Sequence, residues 1–588
     1  MKTNEKSRVL GEVNPITLEV VRNALISIAE QMSITMLKTS YSTVIREILD
    51  YSTAIFDRKG RIIAQASRIP VHLNSMSPAL EAILAEYFPI ESWSPNDVIM
   101  MNDPYKGGQH LPDIMTFTPV FVDDAILGIV GALGHQLDIG GRSAGSYGGD
   151  VTEIYQEGLR IPPVKLFSAG IPNEAVFEIF KANIREPVKT MGDINAQLAA
   201  LEIGKEAFRK LAGKYGGDTI EACMEALLAY SERRMRAKIL EIPDGVYDFE
   251  DWIDDDGIED RPIRIKVSVT VQGSGISVDF TGTEKQSTGP VNAPIGVTKS
   301  ATYYSLITIV DPTIPPNYGC YLPINIVAPK GSVVNPNPPA PVVGRMAVGH
   351  RIVDVLMGAM SKAVPNSVTA AYYGMSNVYA IGGMGEEGTP WVYFDIEVGG
   401  WGARPDKDGL DCYSAGFHNL ANTPVEMVEI GYPFRFSAYE LIADSGGAGR
   451  FRGGLGVRRE FALIGAKANL TTQGERFKFA PYGLFGGKPG RKGRFLVRRG
   501  SEIVDLTSKT TNYVLQQGDH FIILTQGGGG YGSPLERDPQ LVLEDVRQEK
   551  VTLESARNDY GVLIDPDSLA LDADKTRALR ETLSRCAH

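Results

Sequence analysis

The sequence contains little cysteine, little histidine and no excess of positive charge. Its 588 residues include 4 cysteines and 7 histidines, and 71 acidic against 59 basic residues give a net charge of −12. The cysteines are widely spaced and form no C-x-x-C pair, which predicts reduced structural thiols in a cytoplasmic protein and argues against a thiolate metal site. Because no basic face or long Lys/Arg run is present, nucleic acid is not expected as a partner.

Long apolar segments and nucleotide-binding loops are missing as well. The longest apolar run, AILGIVGALG (125–134), covers about half of a membrane span, so no membrane association is predicted. The polar start, MKTNEKSRVLGEVNP (1–15), lacks the apolar core of a signal peptide. No G-x-x-x-x-G-K-[ST] occurs, so there is no P-loop, and a nucleotide needed by the reaction would sit on another chain.

The organisation of the chain points to several interlocked regions. At about 150 residues a domain, the length predicts three to four units. We predict an α+β fold of multiple layers, with mixed helices and largely antiparallel sheets in an intimate multi-domain assembly. Residues 1–245 are predicted to form an N-terminal α+β region with a metal site, 246–430 a central α+β region, and 431–588 a β-rich region with closing helices.

Local patterns give the elements around the candidate site. Apolar residues at helical spacing predict a long helix over 15–45, and the helical period returns over 174–242 with a break at 214–218. Two short apolar runs on either side of Asp123 and Asp124 predict a hairpin. The glycine-rich stretch that follows, 135–150, is predicted to be a loop.

The residues that suggest chemistry are concentrated between positions 50 and 150. His110, Asp113 and His135 form an H-x-x-D pattern followed by a second histidine, and Asp50 is a possible fourth ligand. Two imidazoles and a carboxylate can hold Zn, Mn or Fe while leaving coordination positions open. A histidine in a loop is more often a hydrogen-bonding residue, so spacing alone leaves both interpretations open. Since His72 also lies here, three of the 7 histidines of the chain share this segment.

Three glycine motifs have simpler structural explanations. GRSAG (141–145) matches the nucleophile elbow, but no convincing strand precedes it and no helix follows, so a Gly/Ser loop is the better interpretation. Two G-x-G-x-x-G matches, at 383–388 and 527–532, are followed by a strand and by a turn instead of the helix that a dinucleotide site needs. We interpret both as turn glycines.

Two basic groups also have two interpretations each. The residues Arg345, His350, Arg351 and Asp354 surround a predicted helix start. Capping and surface pairing explain them, and binding of an anionic substrate or a phosphorylated intermediate is the alternative. GGAGRFRGGLGVRREF (446–461) is better interpreted as a charged edge hairpin than as an anion site.

Several longer stretches together resemble one known family, hydantoinase B/oxoprolinase. They run in order along almost the whole chain: DYSTAIFDRKGRIIAQ (50–65), NDPYKGGQHLPDI (102–114), GHQLDIGGRSAGS (134–146), EIYQEGLRIPPVKLF (153–167), GDINAQLAA (192–200), SGGAGRFRGGLGVRREF (445–461) and QGGGGYGSPLERDP (526–539).

The resemblance implies a role in an ATP-dependent enzyme. Members are similar to the metal-carrying subunits of N-methylhydantoinase, caprolactamase and the acetone and acetophenone carboxylases. It implies a hetero-oligomer with a hydantoinase A-type subunit, which binds ATP and phosphorylates a carbonyl oxygen of a cyclic amide or ketone substrate. The metal subunit then completes hydrolysis or carboxylation. Hydrolytic opening of a cyclic amide or imide is the first expectation, ketone carboxylation the second and a non-catalytic scaffold the third.

The resemblance also assigns residues. It places a divalent metal on His110, Asp113 and His135, with Asp50 as fourth ligand. Two further residues are candidates for proton transfer: His72, as a general base or a residue that orients the ligands, and Asp138, as an acceptor beside His135. Their structural alternatives are a satisfied histidine and a cap of the glycine turn. Gln109 and Gln136 depart from the common Thr and His of the family, and Gln136 is expected to alter the surroundings of the ligands.

Overall fold

The computed structural model describes residues 13–385 and 388–586, so the predicted polar start lies partly outside the described residues. The helices are α1 (Pro15–Thr39), α2 (Thr43–Arg46), α3 (Met76–Ala82), α4 (Glu174–Ala182), α5 (Pro187–Tyr215), α6 (Gly217–Ile239), α7 (Ile295–Val310), α8 (Tyr318–Tyr321), α9 (Met346–Met360), α10 (Val425–Gly431), α11 (Pro539–Arg547), α12 (Leu553–Asn558) and α13 (Ala573–Cys586).

The strands alternate with these helices along the chain. They are β1 (Tyr51–Asp57), β2 (Ile62–Gln65), β3 (Val98–Met101), β4 (Asp113–Val122), β5 (Ala125–His135), β6 (Val164–Ser168), β7 (Ile171–Pro172), β8 (Gly245–Ile253), β9 (Ile263–Gln272), β10 (Gly275–Asp279), β11 (Ile324–Val327), β12 (Asn377–Met384), β13 (Pro390–Glu397), β14 (Phe434–Leu441), β15 (Val457–Leu463), β16 (Lys467–Gln473), β17 (Arg494–Arg499), β18 (Glu502–Leu506), β19 (Lys509–Gln516) and β20 (His520–Leu524).

Four sheets organise the described residues. The largest has 7 strands in the order β2-β1-β5-β4-β3-β6-β7, and the others run β11-β10-β9-β8, β13-β12-β16-β19 and β14-β15-β20-β17-β18. Neighbouring strands are antiparallel except β10 and β11, which are parallel. The predicted α+β class with largely antiparallel sheets is confirmed.

The first helix, α1, has a capped start and packs against the large sheet. The side chain of Asn14 accepts a hydrogen bond from Ile16 N at 2.9 Å, and Pro15 occupies the first helical position, as expected at a helix start. The helix ends at Thr39 instead of continuing to 45, because Ser42 starts a separate short helix by capping Ile45 N. Apolar side chains of α1, α5 and α6 then cover one face of the sheet.

The β4–β5 hairpin forms as predicted. Asp123 and Asp124 have φ values of 47° and 63°, which is the left-handed backbone of a two-residue hairpin turn. Pairing runs from Val122 opposite Ala125 at the turn to Asp113 opposite His135 at the far end, with one irregularity near Phe121. The hairpin therefore carries two candidate ligands to the same end of the sheet.

The helix α7 is a part of the fold that periodicity does not predict. Most of its residues are buried, on all of its faces. A helix without a polar face shows no apolar alternation, so the sequence gives no sign of it. The terminal helix α13 is also absent from the sequence-based prediction. None of the described helices has the length and apolarity needed to span a bilayer.

The cores cross the region boundaries of the prediction. The main core contains side chains from Val44 to Leu420, and a second core contains side chains from Tyr379 to Ile523. The third sheet joins β12 and β13 of the predicted central region to β16 and β19 of the predicted C-terminal region. The intimate assembly is thus confirmed, while the boundaries at 245 and 430 stay predictions.

Glycine allows several chain segments of the C-terminal part to lie against one another. A Cβ on Gly528 would lie 1.8 Å from Trp401 O, and one on Gly453 would lie 1.9 Å from Gly528 O. Gly528 N donates to Gly454 O at 2.9 Å, and Gly447 N donates to Gly528 O at 2.8 Å. The glycines of 446–461 and 527–532 therefore serve close backbone packing, and no surface edge hairpin forms over 446–456.

The cysteines agree with the prediction as far as they are described. Cys223, Cys320 and Cys412 are free thiols, and the first two are buried. The side chain of Cys586 lies outside the described residues.

Candidate metal centre and its pocket

Three strand ends meet at one edge of the large sheet. Asp113 is the first residue of β4, His135 is the last residue of β5, and the two are directly paired. Asp50 immediately precedes β1, and its carbonyl oxygen accepts a hydrogen bond from His135 N at 3.1 Å. Antiparallel pairing therefore places the starts of β1 and β4 beside the end of β5, and brings together three candidate ligands that are distant in sequence.

The turn before β4 adds His110. Its Nδ1 lies 2.9 Å from Asp113 Oδ2, and both side chains have no exposed surface. Asn102 holds the turn, since its Nδ2 donates to Leu111 O at 2.7 Å and its Oδ1 accepts from Ile161 N at 2.6 Å. Gly107 has φ of 104°, and a Cβ there would lie 2.3 Å from the backbone of Ala79. Glycine at position 107 therefore allows the turn to bring His110 close to the edge of the sheet.

His72 joins the same cluster from another part of the fold. It lies in a short 3-10 segment, Pro70–Asn74, and its Nδ1 is 2.9 Å from Ser52 Oγ. Its Nε2 lies 3.9 Å from Asp50 Oδ1 and 4.0 Å from Asp113 Oδ1. Ligand-type atoms of Asp50, His72 and Asp113 lie within 4.8 Å of one another. The structure therefore places His72 among the carboxylates.

Both ring nitrogens of His135 are buried and lack hydrogen-bond partners among the described residues. The residue is only 2% exposed. Its ring packs against His110, with centroids 4.9 Å apart, and against Phe394 at 5.2 Å. Asp113 Oδ1 also lacks a partner in the described part of the chain. Buried polar atoms without partners are rare, so these atoms are candidates for binding a ligand.

Burial and mutual repulsion set the charge of the cluster. Burial, and then the nearby Asp113 carboxylate, raise the pKa of Asp50 well above its usual range. Burial lowers the pKa of His110 and of His135 well below the usual range, and lowers the pKa of His72 to about 3. The imidazoles are therefore neutral, which is the form that binds metals.

Arg345 is the cation that the fold places beside the cluster. Its Nη2 donates to Asp113 Oδ2 at 3.2 Å, while Nε and Nη1 have no partner among the described residues. Of the basic group identified in the sequence, only Arg345 reaches the cluster. Arg351 donates to Asp251 at 3.0 Å, and Asp354 pairs with Arg476. The predicted surface pairing is wrong for these residues, because all of them are buried.

Asp138 lies in the glycine loop and holds that loop together. Its Oδ1 accepts from Gly140 N at 2.8 Å and from Arg185 N at 3.1 Å. Its Oδ2 accepts from Gly145 N at 3.0 Å and from Arg185 Nη1 at 2.9 Å. These are the contacts of a residue that caps the turn. The proton-transfer role of Asp138 stays a prediction.

The two glutamines that depart from the family pattern form hydrogen bonds within the fold. Gln109 Nε2 donates to Val71 O at 2.6 Å, which ties the His110 turn to the segment that carries His72. Gln136 Nε2 lies 3.1 Å from Gly134 O and 3.3 Å from Gln197 Oε1, on the α5 side of the sheet. Both therefore support the backbone on which the candidate ligands stand.

A small cavity lies beside the cluster and is lined in part by Asp50 and His135, and the space in it that a water-sized sphere can occupy is about 10 Å³. Its other polar lining residues are Tyr147, Arg345, His418 and Gln473, and its walls include Met346, Met375, Phe394 and Ile396. The pocket thus combines apolar walls with a few convergent polar groups, as small-molecule sites do.

Sequence reasoning missed several of these residues. Ser52, Tyr147, Phe394 and His418 come from four separate elements, and no motif connects them. His418 carries the one usable signal, because histidine is scarce and 5 of the 7 histidines are buried near one another. The spacing of residues along the sequence does not predict that His418 lies near His135.

GRSAG does not form a nucleophile elbow, and the G-x-G-x-x-G match at 383–388 does not form a dinucleotide site. Ser143 of GRSAG follows β5 by eight residues and is succeeded by a three-residue 3-10 turn, so no nucleophile elbow exists. Gly383 and Gly388 belong to the β12–β13 hairpin instead of a strand–helix turn. The interpretation of both motifs as loop or turn glycine is confirmed.

Comparison with known proteins identifies relatives over almost the full length. An uncharacterised protein of Methanocaldococcus jannaschii is 40% identical, covering 97% of this chain and 100% of its own. The B-type subunit of a candidate D-/L-hydantoinase of Pseudomonas sp. strain NS671 is 37% identical, over 97% and 99%. The beta chain of the caprolactamase of Pseudomonas jessenii is 34% identical, over 97% and 100%.

Two solved structures share the fold. The ATP-dependent caprolactamase of Pseudomonas jessenii superposes with a TM-score of 0.90 at 32% identity, covering 97% of this chain and 100% of that chain. Acetone carboxylase in its nucleotide-free form also gives a TM-score of 0.90, at 20% identity and over 99% and 84%, which establishes the fold alone. The family model described as hydantoinase B/oxoprolinase matches residues 14–534. The chain is therefore a member of the hydantoinase B/oxoprolinase family.

Proposed function

We propose that this chain is the metal-binding subunit of an ATP-dependent enzyme that opens a cyclic amide or imide. A hydantoinase A-type partner would bind ATP and phosphorylate the carbonyl oxygen of the substrate. The convergence of Asp50, His110, Asp113 and His135 at one sheet edge is the observation that carries the proposal. The relatives named as a hydantoinase B-type chain and as the beta chain of caprolactamase support both the reaction class and a partner subunit.

The donor set fits a divalent cation of the Zn, Mn or Fe class. It consists of imidazole nitrogens and carboxylate oxygens, which are the ligands that these ions take in open sites. Among the described residues, His135 offers two unpartnered nitrogens and Asp113 one unpartnered oxygen, all buried. Burial, and then repulsion by the adjacent Asp113 carboxylate, raise the pKa of Asp50. We assign the cation to Asp50, His110, Asp113 and His135, with His72 beside them.

Each nearby residue has a role in that assignment. When bound, such a cation polarises a carbonyl or lowers the pKa of a bound water. Ser52 keeps the His72 ring directed at the carboxylates through its 2.9 Å contact with Nδ1. Arg345 keeps two guanidinium nitrogens available for an oxygen that becomes negative in the reaction. Met375, Phe394 and Ile396 form an apolar wall for an uncharged ring.

We prefer hydrolysis to carboxylation because the sequence is more similar to a caprolactamase than to acetone carboxylase. The caprolactamase of Pseudomonas jessenii is above 30% identical over nearly the full chain, whereas the acetone carboxylase is 20% identical. A carboxylase would use the same donor set, so the two reactions differ in substrate and not in ligands.

The metal assignment is tested by elemental analysis of the purified protein. We expect about one transition-metal ion per chain in the wild type and a loss of most of it in the double variant His110→Ala/His135→Ala. His520→Ala is the matched control, because His520 pairs with Glu460 in the C-terminal sheet. Full metal occupancy in the double variant would disprove the assignment.

The reaction is tested with the A-type partner present. The complex is incubated with ATP and either a lactam or hydantoin, or a ketone plus bicarbonate, and the ring-opened or carboxylated product is measured. Ring opening that depends on both chains and ATP is expected. Carboxylation alone would overturn hydrolysis, and an intact but inactive, metal-free complex would establish a scaffold.

A further inference from the structure

We propose that His418 is a further catalytic residue of this pocket, which donates a hydrogen bond from Nε2–H to the substrate oxygen on which negative charge develops. The proposal rests on the proposed function, since it takes the pocket beside Asp50 and His135 as the place of reaction. It adds a donor that stands apart from the donor set of the candidate metal centre.

A chain of hydrogen-bonding groups leads to Nδ1 of His418. Ala415 N, which can only donate, donates to Tyr373 OH at 2.8 Å. The same phenol lies 3.4 Å from Ser376 Oγ and also has a side-chain hydrogen bond with Ser414. Ser376 Oγ in turn lies 2.7 Å from His418 Nδ1. In the proposal Ser376 Oγ donates to Nδ1, which leaves the ring proton on Nε2.

The Nε2 atom is the one that remains for a ligand. Among the described residues, the hydrogen-bond contact of the His418 ring is made at Nδ1, by Ser376 Oγ. His418 lines the pocket together with Asp50 and His135. It is 6% exposed, against 0–2% for the four other histidines buried in this part of the fold. Ser376 therefore contacts one ring nitrogen of His418, and the residue lines the pocket.

The surroundings keep this imidazole neutral. Its neighbours among the titratable groups are His350, whose ring centroid is 5.4 Å away, and also Arg345, His110 and His72. Burial, followed by the positive or potentially positive neighbours, lowers the pKa of His418 well below its usual range. A neutral imidazole with a fixed N–H is a donor throughout the physiological pH range, and it loses no proton when the oxygen becomes negative.

Another buried histidine serves as the matched control. His350 is 0% exposed, and its Nδ1 lies 2.7 Å from Tyr372 OH, so it resembles His418 in burial and in its hydroxyl partner. Unlike His418, it does not line the pocket. A purely structural role for a buried, hydroxyl-bonded imidazole predicts the same consequences at both positions.

The kinetic test compares His418→Leu, His418→Gln and His350→Gln in the complex with the A-type partner. We expect His418→Leu to lower kcat by about 100-fold, the usual effect of removing one such donor, with metal content unchanged. His418→Gln, which retains an N–H near the position of Nε2, should recover part of kcat, and His350→Gln should stay within about threefold of the wild type. A kcat of His418→Leu near that of the wild type, or equal losses at 418 and 350, would overturn the proposal.

A second test needs no turnover. In protein labelled with 15N-histidine, the resonances that disappear in His418→Gln are expected to report a neutral ring protonated at Nε2. Ser376→Ala, which removes the donor to Nδ1, should change that tautomer signature while the metal content stays constant. Protonation at Nδ1 in the wild type would disprove the donor role even if ring-opening activity is found. A correct tautomer without ring-opening activity would instead count against the proposed function.

Discussion

At the scale of single residues, burial determines which carboxyl groups are charged. Glu157 is 1% exposed, and its Oε1 accepts hydrogen bonds from Val342 N at 2.6 Å and Val343 N at 2.8 Å. Its Oε2 has no partner among the described residues. Burial raises the pKa of Glu157 from 4.5 to about 8, against the opposing effect of the two amides. Because Val342 and Val343 precede Arg345, this carboxyl group supports the segment that carries the cation of the site.

The raised pKa of Glu157 predicts a pH-dependent stability. The folded state binds an additional proton between pH 4.5 and about 8, so stability is lost as the pH rises through this window. Glu157→Gln keeps the oxygen acceptor and removes the titration. The stability of the variant relative to wild type should therefore increase with pH, by at most about 1.4 kcal/mol per pH unit. Urea unfolding across the window measures this, with the exposed Glu153→Gln as control; a constant difference would contradict it.

A second residue-scale prediction separates two roles of Asp138. Both of its oxygens accept bonds from the glycine loop and Arg185. Asp138→Asn replaces an acceptor by an NH₂ group that faces donors, so we expect the free energy of unfolding to fall by about 2 kcal/mol. A structural role also predicts that activity per folded molecule stays near wild type. Unchanged stability together with lost activity would support proton transfer instead.

At the scale of elements, close helix packing depends on glycine in α5. A Cβ on Gly204 would lie 2.4 Å from Met32 Sδ on α1, and Met32 is fully buried. Gly213, further along the same helix, has nothing within 4 Å of that position. These two positions differ in packing but share the helical backbone.

This contrast predicts opposite effects of one substitution. Gly204→Ala should lower the free energy of unfolding by about 1–3 kcal/mol, because Met32 has no room to move. Gly213→Ala should raise it by about 0.5–1 kcal/mol, since alanine restricts the unfolded chain. Urea unfolding midpoints of both variants give the answer. A stabilising Gly204→Ala would mean that α1 shifts freely on α5.

At the scale of the whole molecule, a network of buried ions joins the predicted central and C-terminal regions. Arg476 contacts Asp251 on β8 and Asp354 on α9, and Arg351 donates to Glu475 at 3.4 Å. Lys509 lies 2.7 Å from Glu475. Removing one partner from such a network leaves an uncompensated buried charge, so the two regions stabilise each other.

The shared sheet predicts the behaviour of fragments. If the chain is divided at 430, β16 loses its pairing with β12, and the core from Tyr379 to Ile523 is cut. We expect residues 431–588 alone to lack a cooperative thermal transition, and co-expression with 1–430 to restore a soluble complex. Circular dichroism and limited proteolysis measure both. A cooperatively folding 431–588 fragment would instead establish an independent C-terminal domain.

Sequence reasoning determined the parts of this protein that depend on local pattern. Helix and strand periodicity, the Asp123–Asp124 turn and the glycine loop after His135 are local properties, and the structure reproduces them. The hairpin also sufficed to bring Asp113 to His135, because antiparallel register follows from the turn. The helix α7 escapes such reasoning, since burial on all sides removes the alternation on which it relies.

Tertiary structure alone decided the remainder of the site. His72 reaches the carboxylates, and Arg345 and His418 reach the pocket, from segments far apart in sequence, through packing of the 3-10 segment, the start of α9 and the loop after β13. No spacing rule encodes contacts between such segments, because they arise only when separate elements bury a common core. The sequence by itself therefore indicated the family and the candidate ligand residues, while three-dimensional packing determined which imidazoles have a lowered pKa, which buried atoms are unpartnered among the described residues and which residues line the pocket.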